Sequence, residues 1–148
     1  MAKDTAGCRA LNRNYIVGGF LMEQRWMQRK EDLKNAVSRL KEALQEENVT
    51  DIVIDGALHR FEFTFELAWK TMKDYLEYMG IIEKTGSPRE VIQSAFHSNL
   101  IEDGEDWIEM MLSRNTLSHL YDEEESRKIY NKIKEKYAHM LEELVEKI

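Results

Sequence analysis

One proline and seven glycines in 148 residues leave long stretches of this chain without the breakers that sheet-rich folds place at their turns. An all-helical protein is expected. Cysteine is as scarce: Cys8 stands alone, so no intrachain disulfide can form and no cysteine pair offers zinc-type spacing. The chain therefore reads as intracellular, and a cytoplasmic location is expected. Long apolar runs are missing too. Tyr15 to Met22 is short, holds Gly18 and Gly19, and has no small-residue cleavage pattern before Glu23, which argues against a signal peptide or a membrane span. Positive charge is in deficit, with 21 Lys and Arg against 28 Asp and Glu. A net charge of -7 excludes a general nucleic-acid coat but permits a small local cationic site.

The length suits one ordinary domain. Residues 1–21 show no sustained period, and Met22 can serve as a start, so 1–21 is expected to be a poorly ordered extension or cloning addition and 22–148 a single helical domain. From Trp26, the apolar residues Leu33, Ala36, Val37, Leu40 and Leu44 recur at three- and four-residue steps, predicting an amphipathic helix. After a polar break at 46–51, two seven-spaced rows run on together: Ile54, Phe61, Ala68, Tyr75 and Leu58, Phe65, Met72, Met79. They outvote the strand-like alternation of Phe61, Phe63 and Phe65, and Phe63 with Leu67 predicts a second buried stripe.

Gly80 is the expected C-terminal cap, and Ser87-Pro88-Arg89-Glu90 reads as a capping box with proline at the first helical position. The helix begun there should turn Val91, Ile92, Ala95 and Phe96 inward. A fourth helix starts near Asp103 with an inner face of Trp107, Ile108, Met111 and Leu112. The last is capped by Asp122 with Glu125 at the capping-box position, and carries Ile129, Ile133, Tyr137, Met140, Leu144 and Ile148. The pattern predicts an antiparallel four-helix bundle with one additional short helix.

Chemistry gathers where the fourth helix ends, in Arg114-Asn115-Thr116-Leu117-Ser118-His119-Leu120-Tyr121. Arginine is a permanent, forked ligand for phosphate oxygens, and histidine exchanges protons near neutrality. On an ideal helix Arg114, Asn115 and His119 sit at the edge of the buried face, with Arg114 and His119 about 140° apart. One copy of each need not meet on a single phosphate, whereas a symmetric dimer can bring two pairs together. Such a set suits metal-independent RNA cleavage, with His119 moving the 2′-hydroxyl proton, Arg114 stabilising the developing charge and Asn115 orienting. The plainer alternative pairs Arg114 with a carboxylate and lets His119 close the helix end.

Arg114, His119 and Tyr121 together resemble the R-x4-H-x-Y signature of HEPN-domain proteins. Phe61 to Lys70, Ser87-Pro88-Arg89, Trp107 and Tyr121-Asp122-Glu123 are similar to the nucleotidyltransferase substrate-binding proteins of that superfamily, and the resemblance covers about residues 25–148. It implies a fold like the helical domain of kanamycin nucleotidyltransferase. It also implies a homodimeric ribonuclease toxin with no cofactor, acting on RNA and paired with a minimal nucleotidyltransferase (MNT) antitoxin that transfers AMP to Tyr121. The alternative within the same family is a non-catalytic substrate-binding or partner subunit.

Other features are weighed against this site. Glu62, Glu66 and Lys70 form one i, i+4 row beside Trp69, which is either a solvated ion-pair face or a surface where Glu66, Trp69 and Lys70 meet the MNT partner. The acidic run Asp122 to Glu125 suits the start of the last helix, or contact with a basic partner. His59-x-x-Glu62 lacks the matching ligands that a bundle metal site needs, so no metal is expected; His97 and His139 have no constellation. Gly86-Ser87 and Asp103-Gly104-Glu105 imitate transferase elements without a strand to carry them, so the chain is not itself the transferase catalyst.

Overall fold

The computed structural model describes residues 2–82, 86–119 and 122–148, with side chains from residue 19 onward. Its elements are α1 (Ala2–Leu44), α2 (Asp51–Tyr78), α3 (Pro88–His97) and α4 (Gly104–Thr116), a 3-10 turn (Leu117–His119), then α5 (Glu123–Lys132), a π-helical turn (Ile133–Tyr137) and α6 (Ala138–Lys147). No strand occurs among the described residues. The protein is all-α.

Cross-helix pairs fix the directions. Arg29 meets Asp74 at 2.6 Å, Thr64 reaches the Ala36 carbonyl and Arg60 that of Arg39, so α1 and α2 run antiparallel. Glu109 with Lys132 and Asp106 with Lys136 give the same sense for α4 and α5. Lys41 with Glu142 and Lys30 with the Ile148 carbonyl set α6 against α1. The result is an up-down-up-down bundle closed by α1 and α6, with α3 bridging α2 and α4 and α2 touching every other helix.

Local sequence explains the ends. Thr50 accepts from the Val53 amide to start α2. At the other end Gly80, at φ 72°, reverses the chain while the Ile81 amide donates to Leu76, a Schellman arrangement. The capping box of Ser87 and Glu90 is complete. Asn99, at φ 62°, closes α3 in the same way as Gly80 and turns Leu100 into the core. At α5, Asp122 accepts from the Glu124 amide, but Glu125 pairs with Lys128 instead of completing a box.

Both rows of α2 are buried through Met72, while Met79, at the helix cap, is exposed. The expected second stripe fails: Phe63 is 57% exposed and Leu67 only partly covered. Thr64 and Thr71 are buried instead, donating to the Arg60 and Leu67 carbonyls of their own helix. Phe96 is also partly open to solvent, at 45% exposed, although its ring lies against Gly104 at the start of α4.

The last helix differs most from its predicted stripe. Ile129, Ile133, Tyr137 and Leu141 are all buried, four residues apart each time. In an α-helix such a step drifts by about 40°, which the wider π turn between Ile133 and Tyr137 absorbs. Leu141 thus takes the core position expected of Met140, which is only partly buried.

Candidate functional site

Helix α4 holds the candidate site at its C-terminal end, and its inner face decides where the side chains point. That face is Trp107, Met110 and Met111; Leu112, expected inward, is 50% exposed. Arg114 follows the buried row and stays half-buried, while Asn115 and His119 are exposed.

Two elements build the cationic part. From α4, the Arg114 guanidinium forms an ion pair through Nη2 with Glu66 Oε1 of α2, and its Nη1 donates to Asn115 Oδ1 at 3.4 Å, a weak bond. Glu66 is shared, since its Oε2 accepts from Trp69 Nε1 at 3.0 Å and lies 3.7 Å from Lys70 Nζ. Lys70 Nζ is 5.9 Å from the centre of the Trp69 ring, at the limit of a cation–π contact. The residues expected to dock a partner and those expected to meet phosphate therefore form one connected cluster, with Glu66 at its centre.

His119 is not part of that cluster. The α-helix gives way to a 3-10 turn at Leu117, which winds more tightly and sets His119 about 200° from Arg114 rather than 140°. The turn is held by local bonds: Thr116 Oγ1 donates to the Leu112 carbonyl at 2.9 Å and Ser118 Oγ to the Asn115 carbonyl at 3.1 Å. Among the described residues the His119 side chain has no hydrogen-bond partner. Tyr121, the expected AMP acceptor, lies outside the described residues.

Just before Arg114 stands a feature that the sequence reading missed. Tyr137, on the π turn, is fully buried and stacked on Phe61 at 5.8 Å between ring centres. Its hydroxyl donates to Glu109 Oε1 and shares a hydrogen bond with Ser113, both at 3.1 Å. Burial, and then the negative charge of Glu109, push the phenol above its ordinary pKa. Glu109 is held below the usual glutamate range by the hydrogen bond from Lys132, with Tyr137 and Lys136 adding to it. Lys132 and Lys136 are raised in turn, by Glu109 and by Asp106 respectively. This buttress anchors α4 up to the residue before the motif arginine. Its only sequence signal was the four-residue step that places Tyr137 on the buried stripe.

The remaining candidates are plainer. His59 is exposed, and no three His, Cys, Asp or Glu among the described residues are grouped to hold a metal ion. His139 pairs with Glu143 at 3.0 Å on an open surface. Ser87 and Asp103 cap α3 and α4. No helix among the described residues is long and apolar enough to cross a membrane.

The chain as a whole is similar to several known proteins. Residues 28–148 match the family described as "Nucleotidyltransferase substrate binding protein like". "Probable ribonuclease HepT" of Haemophilus influenzae is 33% identical over 93 residues, which are 61% of this chain and 64% of that protein. The chain thus spans a little under two-thirds of that relative's length. A crystal structure of a Thermus thermophilus protein superposes with a TM-score of 0.71 at 29% identity, covering 77% of this chain and 96% of the other. A Haemophilus influenzae structure, described as revealing the fold of a substrate binding domain of a nucleotidyltransferase, gives 0.68 at 27% identity, covering 80% and 97%.

Proposed function

Because the chain belongs to the nucleotidyltransferase substrate-binding protein-like family, we propose that residues 22–148 are the HEPN half of a HEPN/MNT pair and act as a metal-independent endoribonuclease. The observation that carries this reading is the end of α4, where an oriented, half-buried arginine and an exposed histidine stand within six residues on a strongly acidic protein. An oriented cation and an exposed base at one helix end, which a second copy can bring together, suit phosphodiester chemistry better than they suit a helix cap, which would draw His119 onto free carbonyls. The name of the Haemophilus relative supports the same class.

In the reaction, neutral His119 takes the proton of a ribose 2′-hydroxyl as the 2′-oxygen bonds to the adjacent phosphorus. The bond from phosphorus to the 5′-oxygen breaks, leaving a 2′,3′-cyclic phosphate and a 5′-hydroxyl that gains a proton from a second acid. Arg114 faces the charge that develops on the phosphoryl oxygens, and Asn115 orients them. Since Arg114 and His119 diverge within one chain, a two-fold homodimer supplies the second pair and the second acid. MNT regulates the site by transferring AMP from ATP to the Tyr121 phenol oxygen, with release of pyrophosphate. A bulky phosphodiester two residues from His119 then obstructs an RNA phosphate.

The test incubates purified wild type and His119→Ala with cellular RNA in chelator and looks for cyclic-phosphate ends. Cleavage by wild type alone is expected. The competing reading, a non-catalytic subunit that docks to a transferase, is favoured by one observation: Glu66 already occupies Arg114. No cleavage by either protein, with unmodified Tyr121 confirmed by mass, would establish that reading instead. Tyr121→Phe should abolish labelling by MNT and labelled ATP, and persistent labelling would remove Tyr121 as the acceptor.

A further inference from the structure

The contact between α2 and α4 is unbalanced. Arginine presents a two-donor edge, Nε with Nη2, that fits a carboxylate or phosphate bidentately. Glu66 uses half of it. Its Oε1 pairs with Nη2, but its Oε2 is drawn away to Trp69 Nε1 and toward Lys70, and Arg114 Nε is left buried without a hydrogen-bond partner among the described residues. An unpaired donor in a half-buried site is unfavourable, and an anion able to span Nε and Nη2 would relieve it.

We propose that Glu66 is a built-in anion that holds the Arg114 site until a phosphate displaces it, with Trp69 setting how loosely it is held. The proposal rests on the reading of Arg114 as a phosphate ligand. When phosphate enters, it takes both donors of the edge, and Glu66 swings wholly to Trp69 and Lys70 on its own helix. No charge is stranded by the exchange, because both partners of the released carboxylate are already in place. Glu66 is thus a positioning residue that tunes phosphate affinity, and the α2 face carrying Trp69 and Lys70 is the handle on that affinity.

Inorganic phosphate is the probe, and the Nε–H resonance of Arg114 in the full chain is the readout. In Glu66→Gln the resonance should saturate at lower phosphate, on the order of tenfold, the scale of losing one competing charge-assisted hydrogen bond. Glu62→Gln removes the same charge one turn away and should shift it far less. Trp69→Phe should act in the opposite direction: with Oε2 released, Glu66 can close on both donors and weaken phosphate binding. Equal half-saturation in wild type and Glu66→Gln, an equal gain from Glu62→Gln, or tighter binding in Trp69→Phe would each overturn the proposal. If Glu66→Gln does not fold, the Trp69→Phe arm decides alone. Parallel RNA assays keep the two readings apart. The expected phosphate shifts without cleavage would remove the ribonuclease, whereas cleavage without them would remove the Glu66 exchange.

Discussion

Two consecutive residues of α4, Ser113 and Arg114, are held in opposite ways. Ser113 faces a buried aromatic whose hydroxyl is fixed by Glu109 and, through it, by two lysines. Arg114 is held across the bundle by one oxygen of a shared carboxylate, and five residues later the His119 side chain has no partner among the described residues. Constraint therefore falls steeply along a single turn and a half of chain. The scaffold is firm up to the point where chemistry would start, and beyond it the side chains can exchange partners. Such a gradient suits a site that must be placed by the fold yet regulated from outside it.

The contrast predicts a ranking of effects. Tyr137→Ala removes a fully buried ring from beneath Phe61 and should cost roughly 3–5 kcal/mol of stability. Urea unfolding would measure it, and a loss below about 1 kcal/mol would mean that the buttress contributes little. A smaller effect is expected from Glu109→Gln, read through pH. The folded carboxyl lies below its ordinary value, so the unfolded chain binds more protons and stability rises with pH. That contribution is complete above about pH 4.3 and is lost as pH falls through the folded value. The variant should flatten the acid limb of a melting-temperature profile; an unchanged limb would assign acid sensitivity to other carboxylates. His119→Ala should have the least effect on stability, within about 0.5 kcal/mol. A larger loss would show that the histidine is structural after all, and would undo the contrast.

How much of this was legible in the sequence follows from how local each feature is. Ser87, Pro88 and Glu90 specify a cap within four residues, and the rows through Phe61 and Phe65 specify a face by spacing alone, so the cap is found as read and the rows as far as Met72. Asn99 was legible but overlooked: asparagine tolerates a left-handed backbone, and Leu100 supplies the apolar residue that follows such a cap. Phe63, Phe96 and Leu112 are a different case. Periodicity shows which residues share a stripe, but the width of the stripe that is covered depends on neighbouring helices. The Arg114 and Glu66 pair lies further still from view, because the two are brought together only by the crossing of α2 and α4. A carboxylate partner for Arg114 was foreseeable, but its identity was not.

The π turn also gives the C-terminal segment one place where its length can change without loss of phase. There the Ala138 amide reaches back five residues, to the Ile133 carbonyl, so the turn holds one residue more than an α-helical turn would. Deleting Lys134 or Glu135, both exposed, would let the turn close as ordinary α-helix. Leu141 and Leu144 would still face the core, and Glu142 would still face Lys41. The same deletion in the regular part of α2 would rotate everything downstream by about 100° and carry buried residues such as Met72 and Leu76 out of the core. A single-codon deletion is thus a local event at the π turn and a global one elsewhere in the bundle.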